Sequence, residues 1–390
     1  MEQTQMSLIN TTQAADEVED DVKNIVPKII FSSFLGFVSV SGFIGNSIVV
    51  LAVIIFPKLR TTTNVYIASL AVGDVLMCLT IPWIIVGLLV RDGWPFSPAS
   101  CVLVAVIRFT CSGSSVWHLA TIGFNRMILI TTSSATYRKV FSRVNTALIL
   151  ILTWMIPFSV IIVPFAVGAT RLGYDDGPHM CSDLEDNDDG TVNLTHSYLA
   201  ATFLTCLPLS IVLMVYLRIF VYIRNHAKQQ KSWGASRPQA KGGAATGSTS
   251  AAKDAPADGK EQGTGGDGNA AGTSSSTANA TSQKNATGGT NKNRSETSKL
   301  ENRITKNMFY VVLAFLVCVI PYGTVVLSNP GVAAGVPLGQ AFLLFNSCVN
   351  PLIYGTKHPH FRGAIRNIFR GRFRAPIATS ATVAPTSQTT

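Results

Sequence analysis

Arg126 closes a long apolar run in the stretch GFNRMILI, and the residue before it, Asn125, carries no charge. A guanidinium stays protonated in proteins and offers only donors, so it must meet an acceptor or water. Asp74 lies inside another apolar run, LAVGDVLMCL. A carboxylate there is costly and is a functional candidate by default. Asn346 and Asn350 are four residues apart and share one helix face. Arg108 follows Cys101 by seven residues, about two turns or ~10 Å along a helix. Its planar fork suits a carboxylate or phosphate. No Ser/His/Asp set, metal-ligand spacing or phosphate loop points to an enzyme.

These residues need a scaffold, and composition indicates which. Only 13% of the 390 residues are charged, against about 25% in soluble domains. Mean hydropathy is positive. Seven runs are long and apolar enough for bilayer spans, at about 28–56, 64–90, 101–131, 145–167, 198–225, 303–328 and 334–355. The last is the weakest, because it holds Pro337, Gln340, Asn346 and Asn350. The net charge of +10 is spread over short loops and the tail, without a basic, aromatic-interleaved patch, so nucleic acid is not an expected partner.

Loop charge sets the expected orientation. Lys58 and Arg60, then Arg138, Lys139 and Arg143, then the basic tail from Lys357 to Arg374 lie inside. Acidic clusters at 16–21 and 175–189 lie outside, as do the sequons at Asn10 and Asn193. The acidic N-terminus argues against a cleavable signal peptide. The expected organisation is an outer tail over 1–27, five spans with loops over 28–225, and an inner loop over 226–300. Spans six and seven follow over 301–355, then a surface helix over 356–374 and a disordered tail over 375–390. The inner loop has almost no large apolar residue and is expected to be disordered. It is either a plain linker or a docking and phosphorylation segment. In KHPHFRGAIRNIFRGRFR, Phe361, Ile365, Ile368 and Phe369 form an apolar stripe beside Arg362, Arg366 and Arg370. That pattern fits an amphipathic helix on membrane lipid.

Taken together, the chain resembles a rhodopsin-type (class A) G-protein-coupled receptor: an all-α membrane protein, seven transmembrane helices with a short amphipathic eighth. The resemblance rests on Gly45-Asn46, LAVGD ending at Asp74, Cys101, Asn125-Arg126, Trp154, Pro208 with Tyr216, Pro321, and NPLIY from Asn350 to Tyr354, in order, on successive spans. It covers all but the tails and the inner loop. Within the class, the Asn-Arg pair, GWPFSPASC and TYRKVFS are similar to the melatonin-receptor group and its invertebrate relatives.

The resemblance implies a disulfide between Cys101 and Cys181, and a site at Asp74 with Ser115, Asn346 and Asn350 for a sodium ion or a water-filled network. It implies heterotrimeric G protein, arrestin and receptor kinase as partners, and an extracellular ligand facing Arg108. An aspartate there would suit an amine, so arginine favours an anionic or lipid-like ligand. The alternative is that Arg108 turns outward to an acid of the outer loop. Arg126 is expected to clamp Glu301 near the inner end of span six, or simply to reach the interface. Signalling would break the clamp, with Pro321 as the kink and Tyr216 and Tyr354 receiving Arg126. Val319 stands where the class usually has tryptophan, and Met127 where it has tyrosine. Span seven has no lysine for a retinal Schiff base. No repeat or filter suggests a transporter or channel. The rival reading is a seven-span protein signalling by basal activity without a diffusible agonist.

Overall fold

The computed structural model describes residues 2–90, 93–184, 194–235, 310–321 and 336–373, with side chains of the first helix described from residue 25 onward. The chain divides into two units, Met1–Tyr222 with Arg303–Thr390, and Ile223–Asn302. The first unit holds the bundle. In the second, the described residues are the end of one helix.

The helices are α1 (Glu2–Ile55), α2 (Thr62–Leu89), α3 (Pro98–Thr131), the short α4 (Ser134–Val140) and α5 (Arg143–Ala166). Then come α6 (Leu194–Ala200), α7 (Leu207–Ala235), α8 (Tyr310–Pro321), α9 (Val336–Lys357) and α10 (Pro359–Phe369). Among the described residues, five helices are long and apolar enough to cross a membrane: Ile25–Ile55, Thr62–Leu89, Pro98–Thr131, Arg143–Ala166 and Tyr198–His226. The apolar α8 and the more polar α9 fall within the two remaining expected spans. α7 runs to Ala235, past the expected boundary at 225. The cause is local: RNHAKQQK contains no glycine or proline to stop it.

Caps mark where the apolar runs begin. Thr61, Ser97, Ser133 and Ser142 each accept a backbone N–H at the start of α2, α3, α4 and α5. Between α6 and α7, residues Ala201–Cys206 form a π-turn, with Leu207 N–H donating to Thr202 O five residues back. Pro208 has no N–H to give Leu204, so the ladder widens there. Trp117 of α3 donates to the Phe203 carbonyl at 3.0 Å.

Close approach of helices depends on small residues. A Cβ on Gly45 would sit 2.9 Å from Pro351 Cβ of α9. A proline ring cannot turn aside, so Gly45→Val should separate α1 from α9 and cost about 1–3 kcal/mol. A lowered Tm of the purified protein in detergent checks this; an unchanged Tm would show the contact to be soft.

α10 corrects one expectation. Phe361 does not face lipid: it is fully buried, with its ring 5.8 Å from Tyr354 and 5.1 Å from His358. Ala364 is buried beside it, while Phe369 is exposed. The stripe therefore splits into a bundle-facing start and a free end, because the first turn of α10 packs back on α9.

Candidate functional site

At the Cys101 end of α3, two strands, β1 (Arg171–Asp175) and β2 (Met180–Leu184), form an antiparallel hairpin. The Cys101–Cys181 disulfide, with Cα atoms 5.3 Å apart, ties β2 to the first turn of α3. Tyr174, opposite Cys181 in the ladder, donates to Gly87 O of α2 at 2.8 Å. Trp94 donates to Ser97 O and Ser100 Oγ, and its ring lies 5.9 Å from Tyr174. The hairpin is thus fastened to two helices.

Arg108 lies under it, 3% exposed. Its Nη2 donates to Cys181 O at 2.7 Å and its Nη1 faces Met180 Sδ at 3.6 Å. The guanidinium also lies 4.6 Å above the Phe109 ring. Among the described residues, Arg108 holds the hairpin by a backbone carbonyl; the acids of the outer loop from Glu185 to Asp189 lie outside the described residues.

Midway down the bundle, Asp74 is 1% exposed. Ser347 Oγ donates to its Oδ1 and Asn350 Nδ2 to its Oδ2, each at 3.0 Å. Asn46 of α1 donates to Ser347 O at 2.7 Å, joining a third helix. Ser115 turns its hydroxyl to Cys111 O of its own helix at 2.9 Å. Asn346 is buried, and its Oδ1 has no hydrogen-bond partner among the described residues. Ser347 was not anticipated, although its place one turn before Asn350 was a usable signal. Carboxylate, hydroxyl and amide oxygens with one oxygen unsatisfied suit a hard cation, so the donor set fits sodium in kind. No cluster of three or more His, Cys, Asp or Glu occurs among the described residues, so a transition-metal site is not indicated there.

His118 is a fully buried linker: Nδ1 pairs with Ser114 O at 2.7 Å, and Nε2 with Ser69 Oγ at 2.9 Å. Trp154 donates to the same hydroxyl at 2.9 Å, which joins α2, α3 and α5.

At the far end of α3, Asn125 Oδ1 accepts from Thr63 Oγ1 at 2.6 Å, and Asn125 Nδ2 donates to Tyr137 Oη at 3.1 Å. Asn125 thus braces α3 against α2 and α4, a role sequence reading missed because the short helix carrying Tyr137 gives no sign of where its ring points. Arg126 is 6% exposed. Tyr216 of α7 packs near Gly123, one turn back, where a Cβ would come within 3.2 Å of its ring. Tyr354 is buried. Pro321 is the last described residue of α8, and Glu301 lies outside the described residues, as does Asn193. Asn10 falls within α1, where side chains are not described.

This geometry is that of a seven-helix receptor with a covered mouth, a buried polar centre and an arginine at the opposite face. The chain matches the 7 transmembrane receptor (rhodopsin family) over residues 45–354 and belongs to that family. It is similar to melatonin receptor type 1B of Mus musculus, 27% identical over 84% of this chain and 74% of that protein. It is also similar to the G-protein coupled receptor moody of Drosophila melanogaster, 24% identical over 87% of this chain and 51% of that protein; it spans about half of that relative's length. Among solved structures, squid rhodopsin shares the fold with a TM-score of 0.63, 21% identity, and cover of 88% of this chain and 87% of that one. The chain is thus a multi-pass receptor of the plasma membrane that signals through a G protein, and it is not an enzyme.

Proposed function

We propose that the N-terminus and the β1–β2 hairpin are extracellular, and that a small ligand binds in the bundle beneath the hairpin, against Arg108. Binding there shifts the population toward a state that catalyses nucleotide exchange on a heterotrimeric G protein at the Arg126 face. The observation that carries this reading is Arg108 itself. It is a buried cation that touches both α3 and the lid, so a ligand at that depth acts on both. An anionic or lipid-like ligand is favoured over an amine, because no buried carboxylate lines the upper part of α3 among the described residues.

Asp74, Ser115, Ser347, Asn346 and Asn350 would hold a sodium ion, which supplies a positive charge that offsets the buried carboxylate. Arg126 and Glu301 form the cytoplasmic clamp, released toward Tyr216 and Tyr354. Asn10 and Asn193 carry glycans. Arrestin and a receptor kinase act at the cytoplasmic face, and Phe369 with the α10 arginines rests on membrane lipid.

The test is nucleotide exchange by the full chain in lipid nanodiscs, screened against fatty acids, lysophospholipids, indoles and peptides. A dose-dependent response to an acidic lipid, lost in Arg108→Gln, is expected. Strong exchange without ligand, unmoved by every class, would favour the basal-activity reading instead.

A further inference from the structure

The elbow between α9 and α10 contains a histidine that none of these roles uses. His358 precedes α10, and its backbone is fixed at both ends: its N–H donates to Tyr354 O at 3.2 Å, and its O accepts from Arg362 N at 2.9 Å. The side chain is 2% exposed. Neither ring nitrogen has a hydrogen-bond partner among the described residues, and the same holds for His360 Nδ1 and Tyr354 Oη. A buried polar group without a partner typically costs about 1–3 kcal/mol. The ring sits edge-on to Phe361, with centroids 5.1 Å apart, and 5.9 Å from His360. It is therefore wedged under the first turn of α10.

Among the described residues, the charged groups that bear on the histidines of this elbow are all basic. From α3, Arg126 bears on His358; on α10, His360 does; and Lys58, after α1, bears on His360. Lys357 turns away, its Nζ 5.9 Å from the Tyr310 ring of α8. From α9, Tyr354 contributes a neutral hydroxyl. A proton on His358 would place a cation near Arg126 and His360, with no acceptor for its ring N–H groups among the described residues.

We propose that His358 is an intracellular proton acceptor: its charging loosens the α9–α10 elbow and favours the signalling arrangement at Arg126. Burial first, then Arg126 and His360, lower its pKa to about 3 in the packed elbow. Wetting the ring returns it to the ordinary value of about 6.5. The charged form therefore belongs to the loosened elbow. The packed elbow is fully favoured above that ordinary value and loses ground as pH falls through it. While the loosened state is the minor one, its population should rise about fourfold between pH 7.5 and 6.0.

The link to nucleotide exchange rests on the receptor reading above; the link between the proton and the elbow does not. Two measurements keep them apart. Cys206 is the exposed free cysteine among the described residues, and Ala364 is fully buried on α10. In a Cys206→Ser, Ala364→Cys protein in nanodiscs, the thiol-labelling rate follows the loosened fraction. Compared with the same protein carrying His358→Phe, which shares the thiol's own pH dependence, the rate should rise about fourfold from pH 7.5 to 6.0. His360→Phe should keep that rise. Equal pH responses with and without His358→Phe would overturn the proposal. So would a flat response relative to a His358→Asn control, should the Phe variant not fold. Ligand-free nucleotide exchange should rise by a similar factor; a labelling response with flat exchange would leave the elbow intact and sink its coupling to the G protein.

Discussion

Arg108→Ala should lower agonist potency by roughly tenfold to a hundredfold. The guanidinium gives a charged hydrogen bond to Cys181 O at 2.7 Å under a buried lid. Bonds to charged groups contribute about 1.5–3 kcal/mol, which is that range in an equilibrium constant. Removing the side chain leaves the Cys181 carbonyl without its donor, while the disulfide still holds β2 at one end. The hairpin should stay attached but move. Arg108→Lys separates the two roles of the residue. Lysine can reach one carbonyl, but it cannot present the planar fork that a carboxylate or phosphate needs. If Arg108 serves mainly as a strap for the lid, lysine restores most of the response. If it reads an anionic ligand, lysine restores lid order, measured as hydrogen-exchange protection of β1 and β2, but not potency. A full response to every active ligand in Arg108→Ala would remove Arg108 from the binding site.

Asn125→Asp should lower ligand-free nucleotide exchange about tenfold. Both bonds of Asn125 survive the change: an aspartate still accepts from Thr63, and the Tyr137 hydroxyl reverses to donate. What is added is a negative charge on the residue preceding Arg126, which is 6% exposed. About 1.4 kcal/mol of preference for the packed state is a tenfold shift, and paired charges near a protein surface can exceed that. Asn125→Leu is the opposite control, since it loses both braces and should raise exchange or lower stability. Basal exchange in Asn125→Asp equal to that of the unaltered chain would show that the acid's absence does not tune the resting state.

Much of this site was legible in the linear order of residues. Apolar runs of bilayer length fixed the number of helices, because a lipid-exposed backbone must satisfy its own hydrogen bonds. Asp74 and Arg126 stood out because charge inside such runs is rare. Asn350 was placed with Asp74 correctly, and its amide donates to that carboxylate. Ser115 was placed there too; its hydroxyl donates to Cys111 O of its own helix, a bond that leaves its oxygen able to accept or ligate. A serine in a helix can always fall back on its own backbone, and only packing decides which acceptor wins. Ser347 and Tyr137 were missed for the complementary reason: a small hydroxyl or a ring on a short connecting helix gains its role from a neighbour hundreds or a dozen residues away. The hairpin was not anticipated, since RLGYD and MCSDL carry little alternation of their own.

By itself, the order of residues determined that this chain spans a membrane seven times, and which few polar groups must be buried on the way. Hydropathy and helical period are local properties, and local properties can be read along a line. The tertiary structure alone decided which way those groups point: Arg108 to a lid carbonyl, Asn125 to two braces, Phe361 inward over Tyr354, and His358 inward against Phe361. Such choices depend on the distances between helices, and Gly45 against Pro351 shows how small those distances are.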